Sequence, residues 1–325
     1  MATFNGEGYL RAQLQSLLQQ TLLPTSLVIS DDNSSDSTVD ILEEFAASAP
    51  FPVHILSNPG PRGIQSNFRN ALAHTKGDVV AWCDQDDIWG PTKLEEMMGA
   101  LANPTVQCVA HSYQTVDSEG NPLGGGRWFH GDRRLTGLDY ANIVSFHGCC
   151  MAFRADPIRS LLLENWPTFS SEEESETPML HDFATLFIAR HLGTVQYLDE
   201  RLIRYRRHGG NATAHTATDV EDARLMRSRT NDSTYSTKAL EAKQKSDWWK
   251  KALVDRPELS APCAVADYQR RADSLERRAK LYSMSSGKAT RLVQNILSGC
   301  YGFSRRGRLP MRSLLGDTMF ALKRS

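Results

Sequence analysis

Long apolar runs are missing from this sequence. No stretch of about 18 or more apolar residues occurs, so no transmembrane helix is predicted. The first residues carry no basic stretch followed by an apolar core, and they do not read as a secretory leader. Paired cysteine motifs are missing as well. Cys83, Cys108, Cys149, Cys150, Cys263 and Cys300 include no C-x-x-C spacing, which argues against a zinc site or a redox pair. Free thiols in a reducing cytosol are expected instead. Charge imbalance is also absent. The 37 Lys and Arg nearly cancel the 38 Asp and Glu, and with a formal charge of -1 nothing global points to nucleic acid. There is no internal repeat and no low-complexity tract, which excludes solenoids and fibrous arrays. What remains is a chain of 325 residues with ordinary globular composition, enough for one large domain with additions or two modest ones.

Hydrophobic periodicity supplies the fold class. Leu10, Leu14, Leu17 and Leu18 stand at helical spacing, and residues 37–47 repeat the pattern through Val39, Ile41, Leu42 and Phe45. Helices are also predicted over 64–74 and 93–102, and short apolar strands over 26–30, 52–57 and 79–83. This alternation predicts an α/β fold, with a mostly parallel central sheet flanked by helices. Further strands are read over 106–112, 143–153 and 194–198, a helix over 182–191, and an acidic loop over 170–177. From 209 to about 245 the chain is polar and weakly periodic. After Trp248 it reads mostly as helix. The expected division is a domain over 1–210 and a mostly helical C-terminal extension over 211–325.

Chemistry concentrates at the predicted strand ends, where open α/β sheets bind ligands. Asn5 to Glu7, Asp31 to Ser35 and Asp84 to Asp87 all fall there. The last group is the most telling, because a short apolar run ends in Asp84, Asp86 and Asp87, three carboxylates within four residues. Packed carboxylates repel one another unless a hard divalent cation, Mg²⁺ or Mn²⁺, neutralises them and leaves positions for phosphate oxygens. A solvated acidic turn is the plain alternative. Asp31 to Asp36 lacks the glycine and the bidentate glutamate of a calcium loop.

Several segments, taken in order, carry a likeness. They are MATFNGEGYLRAQLQSLLQQT, SDDNSSDST, NPGPRGIQSNFRNAL, GDVVAWCDQDDIW, Gly148-Cys149-Cys150-Met151, LHDF and YRRHGGN. Any one alone is weak, but the ordered set resembles glycosyltransferase family 2, the inverting enzymes of GT-A fold, and most closely its bacterial rhamnosyltransferase-like members. The resemblance covers roughly residues 1–210. In that family an apolar strand of several residues precedes the MATFNG segment. Here the segment begins at Met1, so the expectation is an abbreviated first strand and a natural product that starts upstream.

The resemblance implies roles. Phe4 stacks on the nucleobase, and Asp32 accepts from the imide N–H of a thymine or uracil. Thr3, Asn5, Glu7 and Asp31 line the same nucleotide end. Arg62 meets phosphate or ribose, and Asp84 reaches the ribose or a metal-bound water. Asp86 is the direct metal ligand, with His208 as a second ligand to metal or phosphate, and Arg207 adds positive charge at the diphosphate. Gly148 and Cys149 line the acceptor side. Asp182 is the general base that removes the acceptor proton. Plain alternatives stand beside these roles: a core aromatic for Phe4, a turn residue for Asp32, a surface basic cluster for 204–208, and a helix N-cap for Asp182.

The expected donor is a dTDP- or UDP-linked sugar, with rhamnose suggested by the subfamily, and the expected acceptor a glycan or lipid-linked hydroxyl. Residues 286–325 hold eight Lys or Arg against Asp317 alone, with Leu292, Ile296 and Leu297 on one side. Such a segment can lie on an anionic surface, which suits peripheral contact at the cytoplasmic face of the cell membrane. Two other readings compete. A sugar nucleotidyltransferase calls for a basic residue in a glycine-rich loop after its first strand, and Asn5-Gly6-Glu7-Gly8 has none. A non-catalytic sugar-nucleotide binder would share the donor site without turnover.

Overall fold

The computed structural model describes residues 1–126, 129–136, 146–170, 176–211, 232–261, 263–284 and 287–297, with 317, 318 and 321. The acidic stretch 171–175, most of the polar 209–231 segment and the basic residues beyond 297 lie outside the described residues. The chain divides into two compact units, the first formed by 1–136, 140–167 and 178–214 and the second by 137–139, 168–177 and 215–325.

The first unit opens with a two-residue strand, β1 (Ala2–Thr3), and a helix, α1 (Glu7–Leu18). Strand β2 (Leu27–Asp31), helix α2 (Thr38–Ser48), strand β3 (Val53–Ser57) and helix α3 (Ile64–Ala73) follow. The three strands pair in parallel, Ala2 opposite Ser30 and Leu27 opposite Val53. All five residues of β2 are buried, which is what a strand covered on both faces requires. Leu10, Leu14 and Leu17, one face of α1, enter a core with Leu27, Ile29, Ile41 and Leu42. Each such leucine contributes about 1.5–3 kcal/mol through burial.

The second sheet is mixed. It contains β4 (Val79–Ala81), β5 (Ile88–Trp89), β6 (Val106–Val116), β7 (Pro122–Gly126), β8 (Arg133–Leu135), β9 (Met151–Arg154) and β12 (Thr194–Arg206). Its central order is β4-β9-β6-β12-β5, and only β6 and β12 run parallel among its recorded pairs. Helix α4 (Lys93–Leu101) packs Met97 and Leu101 on Val106, Val109 and Ala152 of this sheet. Helices α5 (Ala155–Glu164) and α6 (His181–Leu192) complete the unit. Two strands differ from the sequence reading. The expected strand over 143–153 has a short 3₁₀ turn at Gly148–Cys150, with β9 starting only at Met151. The expected strand at 194–198 continues to Arg206, because β6 offers a partner along its whole length through register shifts near Arg201.

The second unit pairs two short strands, β10 (Thr168–Ser170) and β11 (Glu176–Pro178). Its helices are α7 (Asp232–Asp255), α8 (Ala264–Ser283) and α9 (Lys288–Leu297). Helices α7 and α8 share a seam of small residues, Ala239 and Ala242 against Ala272 and Ala279. Buried Asp317 accepts from Arg278 Nε at 2.8 Å and from the Tyr282 hydroxyl at 2.8 Å. Among the described residues no helix is long and apolar enough to cross a membrane.

Candidate active site

The polar clusters at the ends of β1, β2 and β4 divide into a scaffold and a set of further groups. Asn5 takes φ 45° and Asn33 φ 60°, left-handed values that turn the chain sharply off β1 and β2. The two turns then bond to each other. Asn5 N–H donates to Ser34 Oγ at 2.9 Å, Ser35 N–H to Asn5 Oδ1 at 2.9 Å, Gly6 N–H to Thr38 Oγ1 at 2.7 Å and Ser37 N–H to Glu7 Oε2 at 2.9 Å. The first amide of α1, Glu7 N–H, is met across the loop by Asp36 Oδ2 at 3.1 Å, and that of α2, Thr38 N–H, by Asp36 Oδ1 at 3.0 Å.

Asp31 belongs to this scaffold. Its Oδ1 accepts from Thr3 Oγ1 at 2.8 Å and Ser34 Oγ at 2.6 Å, and its Oδ2 from Ser34 N–H at 2.8 Å. Thr3, Asn5, Glu7 and Asp31 thus tie the turns after β1 and β2 to each other.

Phe4 and Asp32 differ in exposure. The Phe4 ring is 46% exposed at the end of β1. Its backbone is clamped to the acidic turn, because Phe4 N–H donates to Gln85 Oε1 at 2.8 Å and Gln85 Nε2 returns to Phe4 O at 3.0 Å. A Cβ at Gly6 would lie 2.4 Å from Gln85 Oε1, so a side chain there would push the Gln85 amide aside. Asp32 accepts from Asn58 Nδ2 and Gly63 N–H, both at 2.8 Å. Asp32 is itself buried, 6% exposed. Arg62 is exposed beside Gly63.

The acidic turn itself carries unbalanced charge. Asp84 is half-buried, and its pKa is pushed up to about 7 by burial and by the charges of Asp86 and Asp182. Asp87 is fully buried and held well above the usual carboxylate range by burial and by Asp86 and Asp84. Its Oδ1 accepts from Arg206 N–H at 3.0 Å, while its Oδ2 has no partner. Asp86 Oδ2 meets His208 Nε2 at 2.9 Å and Asn211 Nδ2 at 3.1 Å. Gly210 N–H donates to His208 Nδ1 at 3.1 Å, which turns Nε2 toward Asp86; to ligate a cation through Nε2 the ring would carry its proton on Nδ1 and give up the Gly210 contact. These hard oxygen and imidazole donors, crowded and short of positive charge, fit a divalent cation. Asp84, Asp87 and Cys149 form another grouping, with donor atoms within 4.8 Å of one another. That grouping faces the core, where the fully buried Lys93 ammonium donates to Cys149 O and lies 3.7 Å over the Trp89 ring.

Asp182 starts α6, but it is not the N-cap, which is Leu180. Its Oδ1 accepts from Phe183 N–H at 2.7 Å, and burial pushes its pKa up to about 6. A carboxylate poised near neutrality, with its charge felt at Asp84, has the character of a general base. A base with a pKa of about 6 is protonated and idle below it. We expect kcat/KM to fall about tenfold per pH unit below pH 6 and to level off above it. A pH–rate profile at saturating metal checks this, and Asp182→Glu should move the acid limb.

One expectation needs correction. Gly148 and Cys149 are both buried and not presented to an acceptor. Gly148 is there for space, since a Cβ would lie 2.2 Å from His181 Nε2. The His181 ring cannot retreat, because it stacks on Phe68 at 3.8 Å and meets Trp82 edge-on at 5.1 Å. Gly148→Ala should cost about 1–3 kcal/mol of stability, measured by denaturant unfolding, as overpacking of a rigid core does. Buried Arg206 is joined to the acidic turn, while Arg207 next to it is exposed. Arg206 Nε donates to Asp86 O at 2.9 Å and its Nη1 to Ser118 O at 2.6 Å. An apolar cavity of about 410 Å³ is lined by Leu27, Val28, Val79 and Val80 and lies toward the opposite ends of β2 and β4. It contains none of the converging carboxylates.

An exposed aromatic beside a buried aspartate, an acidic turn and a raised-pKa carboxylate, on this α/β framework, are those of a glycosyltransferase of GT-A fold. The chain belongs to glycosyltransferase family 2: residues 1–162 match the sequence model described as Glycosyl transferase family 2. It is 27% identical over 219 residues to the dTDP-rhamnosyl transferase RfbG of Shigella flexneri, covering 65% of this chain and 72% of that one. It is 29% identical over 118 residues to the UDP-Glc:alpha-D-GlcNAc-diphosphoundecaprenol beta-1,3-glucosyltransferase WfgD of Escherichia coli, covering 36% of this chain and 46% of that one. Among solved structures, S. aureus TarS 1-349 in complex with UDP shares the fold, with a TM-score of 0.52 and 18% identity over 99% of this chain and 79% of that one.

Proposed function

We propose that this chain is a metal-dependent, inverting transferase that moves a sugar, rhamnose in our reading, from a dTDP- or UDP-linked donor to a hydroxyl of a glycan or lipid-linked acceptor in surface polysaccharide synthesis. The observation that carries this reading is the meeting of Asp84, Asp86 and Asp182 at one edge of the strands, with Asp182 poised near pH 6. The names of RfbG and WfgD support the donor and acceptor classes.

Each residue then has a task. Phe4 offers its exposed face to the pyrimidine, and Asp32 receives the imide N–H. Arg62 and Arg207 supply positive charge toward phosphate. Asp84 faces the ribose, while Asp86 and His208 hold the cation, which when bound neutralises the departing diphosphate. Asp182 takes the proton from the acceptor hydroxyl as that oxygen bonds to the anomeric carbon. The bond from that carbon to the diphosphate oxygen breaks, and the nucleoside diphosphate leaves. A single displacement inverts the anomeric centre and needs no covalent intermediate.

Work at the cytoplasmic face of a membrane fits this reading. On α9, Val293 and Ile296 are largely exposed while Leu292 is buried, which leaves an apolar stripe next to the basic C-terminal residues.

The test is incubation with dTDP-rhamnose and UDP-hexoses, Mn²⁺ or Mg²⁺, and a diphosphate-lipid glycan acceptor. Release of dTDP or UDP with an inverted linkage is the expected result. Pyrophosphate release would point to a nucleotidyltransferase, and donor binding without turnover to a non-catalytic binder.

A further inference from the structure

We propose that Tyr9 is a positioning residue, whose ring packs on the His208 imidazole and holds its tilt at the cation end of the site. The inference rests on the reading of Asp86 and His208 as cation ligands.

His208 stands in a short segment after β12, immediately before Gly209 and Gly210, and its backbone is tied to Asn211 through its own N–H at 2.5 Å and its carbonyl at 3.2 Å. Two hydrogen bonds hold its ring, from Gly210 N–H at Nδ1 and to Asp86 at Nε2. Both act at the ring edge, in its plane, and leave the ring faces to be held by packing. Tyr9 covers one of those faces. Its ring stacks on His208 with centroids 4.3 Å apart and planes 29° apart. The Arg206 guanidinium lies 5.0 Å from the centre of the same Tyr9 ring. Arg206 is itself bonded to the backbone of Asp86 and, through its own N–H, to Asp87. Tyr9 thus touches both the histidine and the arginine that are riveted to the acidic turn.

Tyr9 can act as a reference because α1 is fixed. Gly6 and Glu7, which open the helix, bond to Thr38, Asp36 and Ser37 at the start of α2, and Leu10, Leu14 and Leu17 bury its far side. The lone pair of a ligating imidazole lies in the ring plane, so a ring free to tilt points it away from the ion. The recorded contacts of Tyr9 are through its ring face, which makes the hydroxyl dispensable and the aromatic plane essential.

The experiment is a Mn²⁺ titration of the full chain, followed by electron paramagnetic resonance of the free ion, with no donor present. For Tyr9→Leu we expect Mn²⁺ affinity to fall about tenfold, the lower end of what loss of a ligand-orienting contact costs. Tyr9→Phe should bind within about twofold of the parent. In turnover, Tyr9→Leu should be rescued toward the parental kcat by saturating Mn²⁺. In a His208→Ala background, Tyr9→Leu should cause no further loss, because the ring it orients is gone. Tyr9→Met serves as the second replacement if Tyr9→Leu does not fold. Parental affinity in Tyr9→Leu, weakened binding in Tyr9→Phe, or an additive loss in the double variant would overturn the inference. A parent chain that binds no Mn²⁺ would instead overturn the cation reading beneath it.

Discussion

Asp182→Asn should abolish sugar transfer, lowering kcat by about 10²–10⁴, the range that general-base catalysis supplies. The substitution keeps the size of the side chain and its bond from Phe183 N–H, so folding and donor affinity should be unchanged. The amide, however, cannot take a proton. Asp182 is the sharpest choice because burial already holds its pKa at about 6, where a base is ionised at neutral pH and still has appreciable proton affinity. Its negative charge is also felt at Asp84, and removing it should make Asp84 easier to ionise. Single-turnover rates together with calorimetric donor affinity check this. Retained turnover would show that another group removes the proton.

The second large effect is expected at Asp86. Asp86→Asn should lower kcat/KM by about 10²–10³ or more, as loss of a charge aimed at the leaving group does. Metal-free stability should move the other way. Asp84, Asp86 and Asp87 repel one another when no cation is present, and replacing the central charge relieves both neighbours. The metal-free melting temperature should therefore rise, while the gain on adding Mn²⁺ with nucleotide shrinks. A variant that loses activity and stability together would mark Asp86 as a structural residue.

Much of this was legible in the sequence because its signals are local. Strand–helix alternation from Leu10 to Leu101 needs only the period of apolar residues, and the elements found there differ from expectation by a few residues. The placing of Asp182 and the acidic turn at strand and helix ends follows from the same pattern. What stayed hidden depended on contacts between distant segments. Asn5, Glu7 and Asp31 are exposed-type polar residues in sequence, and only the meeting of two loops turns them into each other's hydrogen-bond partners. Arg206 could not be separated from Arg207 by parity, since the register shifts of β12 near Arg201 break the period of two that runs through Val195 and Tyr197. The mixed second sheet was hidden for a similar reason: pairings such as β4 with β9 join residues more than seventy positions apart. Tyr9 carried no signal beyond an aromatic near a helix start.

The most direct test of the central claim is the melting temperature of the chain with dTDP, UDP and their sugars, with Mn²⁺, with Mg²⁺ and with EDTA. A ligand at one hundred times its Kd stabilises by about 2.7 kcal/mol if it binds only the folded state. We expect a rise selective for the pyrimidine diphosphates and lost in EDTA, because base and cation ends must both be engaged. No rise with any nucleotide, or an equal rise in EDTA, would contradict a cation-dependent nucleotide site at Phe4, Asp32 and Asp86.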